Sequence, residues 1–116
     1  MEYLILIASD ETTNPQRGTE AFDEWMKGWG RFNDELSAGG HLICGAGLQP
    51  TATATTLQKT AGSPSQVVDG PFAETKEQLG GFYVVTADNL DVVLALAEHL
   101  PIPTGSLEIR PLTQRV

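Results

Sequence analysis

Two short runs of uninterrupted apolar side chains constrain this chain more than anything else in it. Tyr3-Leu4-Ile5-Leu6-Ile7 lies near the start, and Phe82-Tyr83-Val84-Val85 follows Gly81 in the last third. Both are far too short to span a bilayer, and each has the length of a strand. Neither alternates with polar residues, so both faces of each strand must be kept from water, which places them at the centre of a sheet. Leu107 and Ile109, by contrast, alternate with Glu108 and Arg110 and read as a half-exposed strand nearer an edge.

The segments between them supply helices and turns. Residues 10–18 collect Thr, Asn, Pro and Gly and read as a loop. Thr19 then caps a helix, with Glu20 and Asp23 in the first turn complementing its dipole. Phe22, Trp25, Met26, Trp29, Phe32 and Leu36 fall at helical spacing and predict a core-facing stripe. Gly28 and Gly30 interrupt it, each costing roughly 1 kcal/mol against alanine, and Gly39-Gly40 ends it. Residues 41–48 read as a strand closed by Gln49-Pro50. Residues 53–59 and 65–69, separated by Thr60-Ala61-Gly62-Ser63-Pro64, read as a hairpin, and the Thr/Ala alternation over residues 51–56 as exposed strand. Asp88 is the expected cap of a second helix, with Asp91 in a capping-box-like position. Leu90, Val93, Leu94 and Ala97 are its expected core face, and Pro101 its stop.

The order is β-α-β, an inserted hairpin, then β-α-β. It predicts one α+β domain over residues 1–116, a ferredoxin-like split βαβ sandwich with both helices on one face of the sheet. The doubly apolar strands then leave the other face in need of a cover, and a second subunit supplies it most economically, so a homodimer is expected.

Charge and motif content narrow the function. Fifteen acidic residues against seven basic ones give a net charge of −8. No cluster of Lys or Arg offsets it, which argues against nucleic acid and anionic membrane surfaces as partners. Cys44 is the only cysteine, so no intrachain disulfide is available. Its apolar setting, Leu42-Ile43-Cys44-Gly45, predicts a small core residue. His41 and His99 lack partners at ligand spacing, so no metal site is expected. His41 reads as a local hydrogen-bonding group and His99 as a favourable charge in the last helical turn. There is no G-x-S-x-G or P-loop pattern, and Gly45-Ala46-Gly47 is too short for a dinucleotide fingerprint; no cofactor is expected. The start lacks a basic region, and its apolar run ends by Ala8, so no signal peptide is read and the cytoplasm is the expected location.

The remaining signal is the block Val68-Asp69-Gly70-Pro71-Phe72-Ala73-Glu74-Thr75-Lys76-Glu77-Gln78-Leu79-Gly80-Gly81-Phe82. It packs carboxylates, a lysine and a turn between two strands. Asp69 either bonds its own turn or projects as a general base or ligand anchor. The block resembles the signature of the YCII-related superfamily, in the branch named for its Asp-Gly-Pro-Phe (DGPF) motif, here Asp69-Gly70-Pro71-Phe72. Tyr3-Leu4-Ile5-Leu6 and Gly45-Ala46-Gly47-Leu48-Gln49-Pro50 match the same layout. The resemblance implies a dimeric α/β barrel in a largely uncharacterised family, some of whose members accompany extracytoplasmic-function sigma factors. In YCII proteins proper it also implies a histidine–aspartate site with the histidine near the first helix. Residues 14–25 hold no histidine here, so only Asp69 carries over. The expectation is a small-molecule site, of cofactor-free acid–base type if catalytic, with Asp69 as base or anchor. Glu74 and Lys76 are its expected supporting groups, and Trp25 and Trp29 its walls. The alternative is a non-catalytic accessory or regulatory module.

Overall fold

The computed structural model describes residues 1–116. Its two doubly apolar strands, Glu2–Ser9 (β1) and Gln78–Thr86 (β5), lie side by side and antiparallel at the centre of a four-stranded sheet. Leu42–Gly47 (β2) pairs with β5 at one edge, and Ser106–Pro111 (β6) pairs with β1 at the other, giving the order β2-β5-β1-β6 with every pairing antiparallel. Helices Glu20–Ala38 (α1) and Leu90–Ala97 (α2) complete an α+β fold consistent with the ferredoxin-like arrangement. Thr19 caps α1 by accepting from the Phe22 amide at 3.1 Å, and Gly40 leaves the helix at φ 74°.

Strand alternation assigns the two sheet faces. Tyr3, Ile5, Ile7, Tyr83 and Val85 point to one face and are buried against Phe32 and Leu36 of α1, Val93 and Ala97 of α2, and Leu100. Full burial of side chains such as Ile5, Leu36, Val85 and Val93 stabilises the body by roughly 1.5–3 kcal/mol each. The intervening residues Leu4, Leu6, Phe82 and Val84 point to the opposite face, where no element of the chain lies over them and they stay half-buried.

Thr55–Thr60 (β3) and Ser63–Asp69 (β4) form a separate two-stranded ribbon, with Ala61-Gly62 at the tip and Gly62 at φ 76°. This turn is tighter than the five-residue connection expected. No residue of the ribbon is buried. The Cα radius of gyration is 16.2 Å, against about 13 Å for a compact chain of this length. The ribbon is an arm.

Several expectations are corrected. In α1 only Phe32 and Leu36 are buried; Trp29 packs on the core edge and Met26 is exposed. Toward that end the helix-side positions of β2 and the start of β5 are Gly45, Gly47 and Gly81, which leaves Ile7 and Tyr83 as the apolar side chains there. In α2 the buried positions are Val93 and Ala97, followed by Leu100 just beyond the helix, while Leu90 and Leu94 are exposed. Its cap is Asn89, which accepts from the Val92 amide at 3.1 Å, and not Asp88. Thr51–Thr53 is a single 3-10 turn instead of strand. The Thr53 amide and hydroxyl both bond the Pro50 carbonyl, at 2.9 and 2.7 Å, and hold the backbone out of a ladder. Cys44 is exposed on the open sheet face, because its partner Val84 points that way and Gly45 takes the inward position on this edge strand.

Candidate ligand cleft at the signature loop

The chain returns repeatedly to one end of the sheet, where β1 ends, β5 begins and the arm is rooted. Gly70 takes φ 104° there, a conformation that suits glycine. It donates its amide to the Ala54 carbonyl at 2.8 Å and accepts from the Thr56 hydroxyl at 2.7 Å. These bonds lock the root of the arm without help from Asp69. The Asp69 carboxylate, the last residue of β4 and opposite Thr55, is exposed and has no hydrogen-bond partner in the chain. The turn-bonding role that its sequence setting suggests is filled by backbone and by Thr56.

Beyond Gly70, residues 71–77 form a loop stiffened from within. The Gln78 side-chain amide donates to the Ala73 and Thr75 carbonyls at 2.9 and 3.0 Å, and the Thr75 hydroxyl bonds the Glu77 carbonyl. The Glu77 carboxylate accepts from the Ser106 hydroxyl at 2.6 Å, tying the loop to the start of β6. On the other flank the Glu11 carboxylate accepts from the Thr51 amide at 3.0 Å and its hydroxyl at 3.1 Å, tying the end of β1 to the approach to the arm. Asp10 accepts from the Thr12 hydroxyl and amide at 2.6 and 3.0 Å. Those bonds, with the nearby Lys76 ammonium as a lesser cause, hold its carboxyl below the usual carboxylate range.

This scaffold encloses a cleft of about 580 Å³ between the 48–54 segment and the signature loop. Leu48, Pro50, Pro71, Phe72 and Leu79 give it apolar walls, and Glu77 and Gln78 give it polar groups. Its size is within the range of small-molecule sites. Phe72 stands at its margin almost wholly exposed, at 89%. Two residues of the Asp69-Gly70-Pro71-Phe72 motif thus line the cleft, while Asp69, Glu74 and Lys76 lie outside its lining on the exposed surface.

The two tryptophans stand apart from it. Phe22, Trp25, Trp29 and Tyr83 form a chain of aromatic contacts at 5.9, 6.2 and 6.4 Å between centroids, and the Arg17 guanidinium lies 5.5 Å above the Phe22 ring. Tyr83 lies against Gly45, where a Cβ would come within 2.6 Å of its ring, and its hydroxyl bonds the Asn33 side chain. Burial pushes the Tyr83 hydroxyl above its ordinary pKa. Of the histidines, His41 bonds the Thr86 carbonyl through Nδ1 at 2.8 Å, so that nitrogen is the donor, and His99 pairs with Glu35 across the two helices at 2.5 Å. No three His, Cys, Asp or Glu side chains converge as metal ligands, and no helix is long and apolar enough to cross a membrane.

The class of fold is an antiparallel α+β sandwich with a two-stranded arm inserted after its second strand. The chain belongs to the YCII-related family, whose domain model matches residues 1–115. It is 39% identical over 115 residues to an uncharacterised protein of Rhizobium meliloti (strain 1021), an alignment covering 97% of this chain and 92% of that one.

Proposed function

We propose that this YCII-related chain, of the DGPF branch, is a cytoplasmic homodimer that binds a small molecule at the cleft beside Asp69. The observation that carries the reading is the cleft itself: a stiffened loop containing Pro71 and Phe72 walls a concavity of about 580 Å³ with both apolar and polar groups. Asp69 serves as the anionic anchor at its margin, and as the base if the ligand is turned over. An exposed carboxylate without an internal partner is free for that role. Glu74 and Lys76 supply neighbouring charge, whereas Trp25 and Trp29, held in the separate aromatic row of the first helix, are not part of this cleft. The homodimer forms through the open sheet face, where Leu4, Leu6, Phe82 and Val84 make the apolar half of a dimeric α/β barrel.

One observation favours a second reading. Asp69 sits beside exposed Val67, Val68 and Phe72, a setting suited to a protein-binding accessory or regulatory module, such as one working with an extracytoplasmic-function sigma factor.

Ligand-observed NMR with a panel of small amines, alcohols and aromatic acids separates the two. Hits that compete with one another and weaken at least tenfold in Asp69→Asn, with the melting temperature unchanged, support the cleft. Hits that bind Asp69→Asn and wild type equally remove Asp69 from the site. A panel with no hits leaves the accessory reading as the better account.

A further inference from the structure

From Leu36 to Val68 the chain contains no aspartate or glutamate, although it carries fifteen elsewhere. Lys59 is the only Lys or Arg in that span. The span comprises edge strand β2, the 3-10 turn at Thr51–Thr53, which the Glu11 carboxylate joins through Thr51, and nearly the whole arm. Within it the arm exposes Leu57 at 59% and Val67 at 71%, and the two are directly paired across the ribbon. A two-stranded ribbon is marginal on its own in water and needs a further strand or a packed face. Natural sheet edges are usually blunted by charge. Here the blunting is confined to the tip, at Lys59, Pro64 and the irregular register between Gln58 and Thr60, and the Leu57–Val67 level has none.

We infer that the arm is a clasp that closes on a second copy of this chain, with the Leu57–Val67 pair against the partner. The inference rests on the homodimer proposed above and adds the arm to the sheet-face contact. Electrostatics selects the occupant. Two copies that each carry −8 repel one another wherever acidic surfaces meet. The arm from Thr55 to Val68 carries no carboxylate and lies on such a copy without that repulsion, and Lys59 meets it with attraction. Continuity points the same way, because Cys44 and Ala46 of acid-free β2 border Val84 and Phe82 on the open sheet face. One apolar surface thus runs from the sheet onto β2 and leads to the arm, whereas the opposite border of the sheet carries Glu108 and Arg110.

Sedimentation velocity on the full chain tests this with four proteins: wild type, Leu57→Asp/Val67→Asp in the arm, Lys59→Glu in the arm, and Leu6→Asp on the sheet face. Each arm change acts twice in a two-fold interface. The expected result is a wild-type dimer whose dissociation constant rises at least tenfold in the double variant, with body folding unchanged by tryptophan fluorescence. Lys59→Glu leaves the apolar area intact, so it should weaken the dimer at low salt and recover at high salt. A wild-type dimer that neither arm variant weakens, while Leu6→Asp does, overturns the clasp and leaves the sheet-face dimer standing. A wild-type monomer at micromolar concentration overturns both.

Discussion

The body and the arm are built from the same chain by opposite means. In the body, alternate residues of β1 and β5 are sealed under two helices, and Ile5, Leu36, Val85 and Val93 lose essentially all contact with water. In the arm, the strands pair just as regularly, yet no side chain is buried and Leu57, Val67 and Val68 face solvent. Regular hydrogen bonding is therefore common to both regions, and apolar burial belongs to one. Ladders alone contribute little net stability, since each bond replaces one made to water. The body stabilises itself by burial; the arm is held at its root by Gly70, Thr56 and the Glu11–Thr51 bonds and has no buried side chain along its length.

Truncation should expose that contrast most sharply. Leu36→Ala removes a fully buried side chain and should cost about 3 kcal/mol in urea unfolding, within the span for core leucines. Leu57→Ala, measured on protein dilute enough to be dissociated, should change stability by no more than about 0.5 kcal/mol. Similar costs for the two would erase the distinction between the regions.

Gly70→Val should have a smaller and more local effect. At φ 104° a β-branched residue is strained by about 1–3 kcal/mol. The strain falls on the arm's root, so amides of β3 and β4 should exchange faster while those of β1 and β5 keep their protection. Uniform loss of protection across both sheets would show that arm and body unfold together.

Much of the body was legible in the sequence for a physical reason. The uninterrupted apolar runs of β1 and β5, each of strand length, placed both strands at the sheet centre, where they lie, although within the chain only their helix-side face is buried. Thr19 and Gly39-Gly40 marked the ends of α1 because capping is a local interaction. What was not legible depends on contacts distant in sequence. Glu11 reaches Thr51 across forty positions, and no composition rule pairs them. The exposed positions of Leu94 and Cys44 follow from how α2 and β2 lie on the sheet, which their own periodicity does not specify. For Asp69 the local sequence offered a turn bond or a role as base or anchor; the turn is bonded by the backbone and Thr56 instead, and the second role awaits the ligand experiment. Pro71 and Phe72 of the cleft belong to the block that stood out in the sequence and Leu48-Gln49-Pro50 of its far wall to a second family-like segment, but nothing local to either pairs the two.

Hydrogen exchange at two protein concentrations, one well above and one well below the dimer dissociation constant, tests the central claim that the arm draws its order from a second copy. The account predicts that amides of Thr55–Thr60 and Ser63–Asp69 are protected at the high concentration and lose at least tenfold of that protection on dilution, while the amides of the central strands β1 and β5 stay unchanged. Arm protection that is the same at both concentrations would contradict it.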